Sequence, residues 1–272
     1  MQNSIKHLLM LSATFLAACT NTMSGSNSRV DFDSHLLLAE ISREKQEFQQ
    51  AAGHYLTASL MVEDPGLARL TTELAQQLGL NEIGTQAAQR WQELRPDDTN
   101  VHQYLGVFKL RANDREGAFE EFKVFVSEAE NTAAALARSI DLLASEADEQ
   151  SATYILAALV ELHPGIAEGH YGLARLSMRA NNFSAAMANA ERAAILKPNW
   201  VEAQLLYART LLIAGRTEDG LSLAERLIEK DTSLGVRLEY AELLLSAGNS
   251  MEAKKLLDAV LIENPGLHQV MQ

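Results

Sequence analysis

Features of the stretch 167–198, AEGHYGLARLSMRANNFSAAMANAERAAILKP, return 34 residues away in either direction. This period limits the fold more than any other property of the chain. A unit of that size holds two helices and cannot bury its apolar face alone, so it must stack on copies of itself. Units begin near Phe32, Pro65, Thr99, Ala133, Ala167, Val201 and Leu234. The eighth place of a unit, Ala174 in the stretch above, is small where one helix must approach another. The twentieth is sharper still, with Ala51, Gly84, Ala118, Ala152, Ala186, Gly220 and Ala253. A larger residue there would overfill the contact between the arms.

Punctuation agrees with the count. Pro96, Pro164, Pro198 and Pro265 all fall at the thirty-second place, where a residue without an amide donor ends one helix and opens the next. Gly215 and Gly248 stand where a first arm should end, and Thr217 and Ser250 are placed to cap the following arm. Thr72 and Ile140 occupy the small eighth place, so the units from Pro65 and Ala133 are expected to pack more loosely or out of register. The period and layout resemble the tetratricopeptide repeat. That resemblance implies an all-α fold, a right-handed α-solenoid of about seven helix-turn-helix repeats that binds other proteins.

Acidic residues outnumber basic ones by 36 to 23, and the net charge of −13 with no basic patch opposes binding to nucleic acid or anionic lipid. Cys19 is the single cysteine, which excludes internal disulfides and cysteine metal clusters. It follows Lys6 and His7, an apolar run over 8–16 and the small Ala17 and Ala18, the order of a secretory leader. The apolar run is too short to span a bilayer. Leu16-Ala17-Ala18-Cys19 resembles the bacterial lipobox, which implies lipidation of Cys19 and cleavage just before it. An ordinary leader with an incidental cysteine is the alternative. Thr20, where the lipoprotein family uses Asp for inner-membrane retention, implies the periplasmic face of the outer membrane. The expected division is a signal peptide at 1–18, the lipidated cysteine and a Ser-, Asn- and Gly-rich tether at 19–31, the repeat array at 32–267 and a tail at 268–272. With so short a tail, Leu256, Leu257, Val260 and Leu261 are expected to be partly uncovered, open to a partner or to a second copy of the chain.

No arrangement for catalysis or cofactor binding is legible. There is no G-x-S-x-G, no phosphate loop and no close histidine pair of the H-E-x-x-H kind. His35, His102 and His170 share the fourth place of their units. Helices packed about 8–10 Å apart keep such residues too far from one another to share an ion held at about 2 Å. They are read as packing or surface residues. Trp91 and Trp200 are read as core filling at a packing place and a unit junction. The chain is therefore read as a non-enzyme without cofactor or metal.

In tetratricopeptide arrays the second, fifth, ninth and twelfth places line a concave surface. In the last three units these are Glu168, Tyr171, Arg175 and Met178; Glu202, Leu205, Arg209 and Leu212; Gly235, Leu238, Glu242 and Leu245. A Leu and Met ridge beside an arginine pair suits an amphipathic helix or extended peptide, with Arg175 and Arg209 open to a carboxylate. Alternatively the arginines pair with Glu202 and Glu242, and the leucines pack between units.

The lipobox, the short tether and the array together resemble bacterial outer-membrane tetratricopeptide lipoproteins. HLLLAEISREKQEFQQAAGHYLTAS, DPGLARLTTELAQQLG and AAQRWQELRPDD look most like the adaptor lipoproteins of periplasmic carboxyl-terminal processing proteases. The resemblance implies an anchored scaffold that brings a protease and its cell-wall hydrolase substrates together. A second implied class is an assembly factor similar to the pilotin lipoproteins of type IV pilus secretins.

Overall fold

The computed structural model describes residues 26–264, so Cys19, the expected leader, Pro265 and the expected tail lie outside the described residues. Among the described residues there are fourteen α-helices and no strand. They are α1 (Ser26–Glu44), α2 (Phe48–Met61), α3 (Pro65–Leu78), α4 (Asn81–Leu94), α5 (Val101–Arg111), α6 (Arg115–Ser127) and α7 (Thr132–Glu146), followed by α8 (Glu149–Leu162), α9 (Ala167–Arg179), α10 (Phe183–Leu196), α11 (Val201–Ile213), α12 (Thr217–Ile228), α13 (Leu234–Ser246) and α14 (Ser250–Glu263). Short turns join them into seven pairs of arms, and each pair packs on the next. The fold is a tetratricopeptide-type solenoid.

Local chemistry places the helix starts. Asp64 accepts from the backbone amides of Gly66 (2.8 Å) and Leu67 (3.2 Å), with Pro65 in the first turn. Asp114, Asn131, Asp148 and Asn182 cap α6, α7, α8 and α10 in the same way. Thr217 and Ser250 do not act as caps; they are the first helical residues of α12 and α14, one place too late to accept an early amide. Helix α1 begins at Ser26, so 26–31, read as tether from its composition, is helical. The apolar period of Phe32, Leu36 and Ala39 nucleates a helix that then extends outward at little cost.

The small-residue seam is closed throughout. Ala51, Ala118, Ala186 and Ala253 are fully buried, and Gly84 and Gly220 are buried too. A Cβ on Gly220 would lie 2.7 Å from the backbone oxygen of Ala208 and would collide with Leu212. The inter-arm turns show a second regularity. Six pairs reverse through a residue with positive φ: Gln46 (63°), Gly79 (72°), Asn113 (60°), Asn181 (56°), Gly215 (80°) and Gly248 (82°). The fourth pair, α7 and α8, is the exception. It turns through Ala147 in an extended conformation (φ −100°, ψ 149°), and its arms approach each other least.

The two irregular units differ from expectation and from each other. In the second pair Thr72 is fully buried, with its hydroxyl bonded to the Ala68 carbonyl at 2.8 Å, and α3 packs as closely on α4 as in the regular pairs. In the fourth, α7 starts at Thr132 and the buried Ser139 takes the small place. Ile140 instead points at Gly172 of the fifth pair, where a Cβ would lie 2.8 Å from its Cδ1. Large side chains fill the wider space, and Phe122, Leu136, Leu143, Ile155, Leu156 and Leu159 belong to one contiguous core.

Candidate functional site

Helix α9 carries the centre of the predicted surface. Its core face is Ala167, Gly169, Gly172, Ala174 and Leu176. The 3.6-residue period then turns Tyr171, Arg175 and Met178 to the other side. Tyr171 is half-buried because the ring of Trp200 lies against it, with centroids 4.6 Å apart and planes tilted by 41°. Lys197 stands over the other aromatic at 4.9 Å from the Trp200 centroid and pairs with Glu168 at 2.9 Å. The Arg175 guanidinium is 5.8 Å from the Tyr171 ring centre. Arg175 is exposed and makes no ion pair among the described residues. Met178 is half-buried beside it.

Burial, reinforced by the carboxylates of Glu202 and Glu239 against the pull of Arg175, pushes the Tyr171 phenol above its ordinary pKa. It therefore stays a neutral hydrogen-bonding group through the physiological range. Arg209, the counterpart of Arg175 in the sixth pair, sits differently. Its guanidinium donates to Glu239 at 2.6 Å and to Glu242 at 2.7 Å. Burial works against its charge, but the two carboxylates outweigh it and raise its pKa. The alternative of internal pairing holds for Arg209 with Glu242, whereas Glu202 is exposed.

The leucines divide as well. Leu205 is 4% exposed and packs in the core of the last two pairs, so it does not line an open surface. Leu212 is half-buried in the same core and fills the space left by Gly220. Leu238 and Leu245, at the equivalent places of α13, are 37% and 50% exposed. The next pair covers Leu205 and Leu212, and no described element follows α14 to cover their counterparts. Among the described residues the expected ridge is thus open only at Leu238 and Leu245. Of the four residues expected to be uncovered in α14, Leu256, Leu257 and Leu261 are half-buried, and Val260 is buried at 1% because it faces the seam.

Sequence reasoning missed Glu239, a sixth-place residue that reaches Arg209 because α11 and α13 lie side by side. It also read Trp200 as filling, although the junction place from which it stacks on Tyr171 was visible. The three fourth-place histidines bond across their own pair to the twenty-third place: His35 to His54 at 3.1 Å, His102 to Glu121 at 2.6 Å and His170 to Asn189 at 3.0 Å. Lys109 also donates to Glu121, at 2.7 Å. Burial opposes ionisation of Glu121, but the bonds from His102 and Lys109 prevail and hold its carboxyl below the usual value. Among the described residues no three His, Cys, Asp or Glu side chains converge as a metal site would require. A shallow cleft beside Ile195 is lined by polar groups bonded to near neighbours, Tyr207 to Glu191 at 2.9 Å, Arg216 to Asp219 at 2.8 Å and Arg226 to the Ser222 hydroxyl at 2.9 Å. No described helix is long and apolar enough to cross a membrane.

No protein-family model matches the chain, and no curated protein matches it. Among solved structures it is similar to a double mutant of MamA from RS-1, with 15% identity over 62% of this chain and 96% of that one and a TM-score of 0.46. It is also similar to Pseudomonas aeruginosa PilF, with 16% identity over 83% and 100% of the two chains and a TM-score of 0.45. PilW, described as a widely conserved type IV pilus biogenesis factor, is 16% identical over 76% and 94%, with a TM-score of 0.40.

Proposed function

We propose that this chain is a lipid-anchored scaffold on the periplasmic face of the outer membrane, with Cys19 as its attachment point, that captures envelope proteins on the surface around Arg175. As an adaptor it holds a processing protease beside its cell-wall hydrolase substrates, and the raised effective concentration speeds cleavage without chemistry of its own. The observation that carries the binding surface is the contrast between two equivalent arginines. Arg209 is engaged by Glu239 and Glu242, while Arg175 is exposed beside a half-buried aromatic pair. An available guanidinium next to aromatic rings suits a partner carboxylate flanked by an apolar side chain.

The test is recovery of the protein with its partners from solubilised membranes. A processing protease is expected in the wild-type eluate and strongly depleted with Arg175→Glu, whose helicity should be unchanged. Secretin subunits in place of a protease would replace the adaptor reading with the pilotin-like one. Cys19→Ser is expected to release the chain from the outer-membrane fraction; undiminished retention would refute the anchor.

A further inference from the structure

The first pair carries an apolar surface that no described element covers. Helix α1 turns Phe32, Leu36 and Ala39 into the core of that pair. Its opposite side presents Val30 (63% exposed), Leu37 (62%), Leu38 (43%) and Ile41 (37%). At 3.6 residues per turn these four share one side of the helix, and from Val30 to Ile41 the stripe runs about 17 Å. Helix α2 runs back along α1, so the exposed Leu60 (52%) and Met61 (43%) lie at the end of the pair where α1 begins.

We propose that this face of α1 rests on the lipid bilayer, an inference that builds on the reading of Cys19 as acylated. Whatever their conformation, the seven residue steps from Cys19 to Ser26 reach at most about 25 Å. An acyl anchor at Cys19 therefore keeps the start of α1 within that distance of the lipid. With Phe32, Leu36 and Ala39 already taken up by the core, the outward apolar stripe is what the helix can bury at the boundary of headgroups and acyl chains when held there. The anchor supplies the proximity, so four side chains of modest individual affinity suffice. Exposed Asp31, Asp33 and Glu44 flank the stripe against only Arg29 and Lys45, which favours zwitterionic over anionic lipid. Contact through α1 fixes the first pair against the membrane and leaves the later pairs to project from it.

The probe is the mature acylated protein carrying Leu37→Cys, whose new thiol is the only free one and takes a nitrobenzoxadiazole label. On mixing with phosphatidylcholine vesicles the emission is expected to shift to the blue and to be quenched by doxyl-labelled lipid. Adding Ile41→Glu should diminish the shift, and the same label at Met251→Cys should stay in water. A label at position 37 that remains in water on vesicle-bound protein overturns the inference while the anchor stands. A blue shift that appears without lipid and grows with protein concentration overturns it in favour of a second copy of the chain. A mature protein with no acyl mass on Cys19 overturns the anchor reading and this inference with it.

Discussion

The fourth and fifth pairs are neighbours built from the same count of residues, and they solve the packing of two helices in opposite ways. In the fifth, α9 and α10 meet through Ala174, Ala186 and Ala190, all fully buried, and reverse through Asn181 in the left-handed region. In the fourth, α7 and α8 stand further apart, joined by the extended Ala147, and Leu136, Ile155 and Leu156 fill the space between them. Close approach needs small side chains, and a wide gap needs large ones. The pairs also differ in polarity at one shared position. The fifth pair joins His170 to Asn189 across its arms, as the third joins His102 to Glu121, whereas the fourth places Leu136 and Ile155 there.

The contrast can be broken by exchanging what each pair uses. Leu156→Ala should destabilise the fold by about 2–5 kcal/mol in chemical denaturation, because a 1%-exposed side chain leaves a cavity that the splayed arms cannot close. A loss well below 1 kcal/mol would mean that the arms collapse onto one another and that the gap is not built in. Ala190→Leu, at the matching place of the fifth pair, should cost about 1–3 kcal/mol for the opposite reason, overpacking. The turns give a third comparison. Asn181→Val places a branched side chain in the left-handed region and should cost about 1–2 kcal/mol, whereas Ala147→Val, in extended backbone, should stay within about 0.5 kcal/mol. Equal effects at the two turns would contradict the difference in geometry.

Binding and pH sharpen it further. Arg175→Glu should weaken partner capture about tenfold, near 1.4 kcal/mol, in a titration with the recovered partner, with unchanged denaturation. The smallest effect concerns the polar cross-arm position. The folded-state pKa of Glu121 lies below its ordinary value, so its contribution to stability is complete above that value of 4.5 and fades as pH falls below it. Glu121→Gln should remove this part of the acid dependence. Solvent screening keeps the effect below about 1 kcal/mol, readable as a smaller drop in denaturation midpoint between neutral pH and pH 3.5.

Much of the architecture was legible because a short-range rule repeats. The buried twentieth-place residues, the prolines between pairs and the turn glycines Gly215 and Gly248 could all be read by counting. Asn113 and Asn181 were harder, since asparagine enters the left-handed region without announcing it. The surface was less legible. Tyr171, Leu205 and Leu238 occupy one place in three successive units, yet one is stacked on Trp200, one is core and one is exposed. What covers each is set by the junction or pair that follows it, Trp200 for Tyr171 and the seventh pair for Leu205, and the place within the unit does not specify that.

By itself the amino-acid order determined the helical class, the length of the repeat and the seam of small residues, because backbone reversal and close helix approach are enforced within some thirty residues. The tertiary structure decided which of two equivalent arginines is spent on its own chain, which leucines are buried, and where α1 turns an apolar face outward. Those outcomes depend on contacts between units, where a shift of one residue in α7, or which pair packs against a helix, changes what a side chain meets.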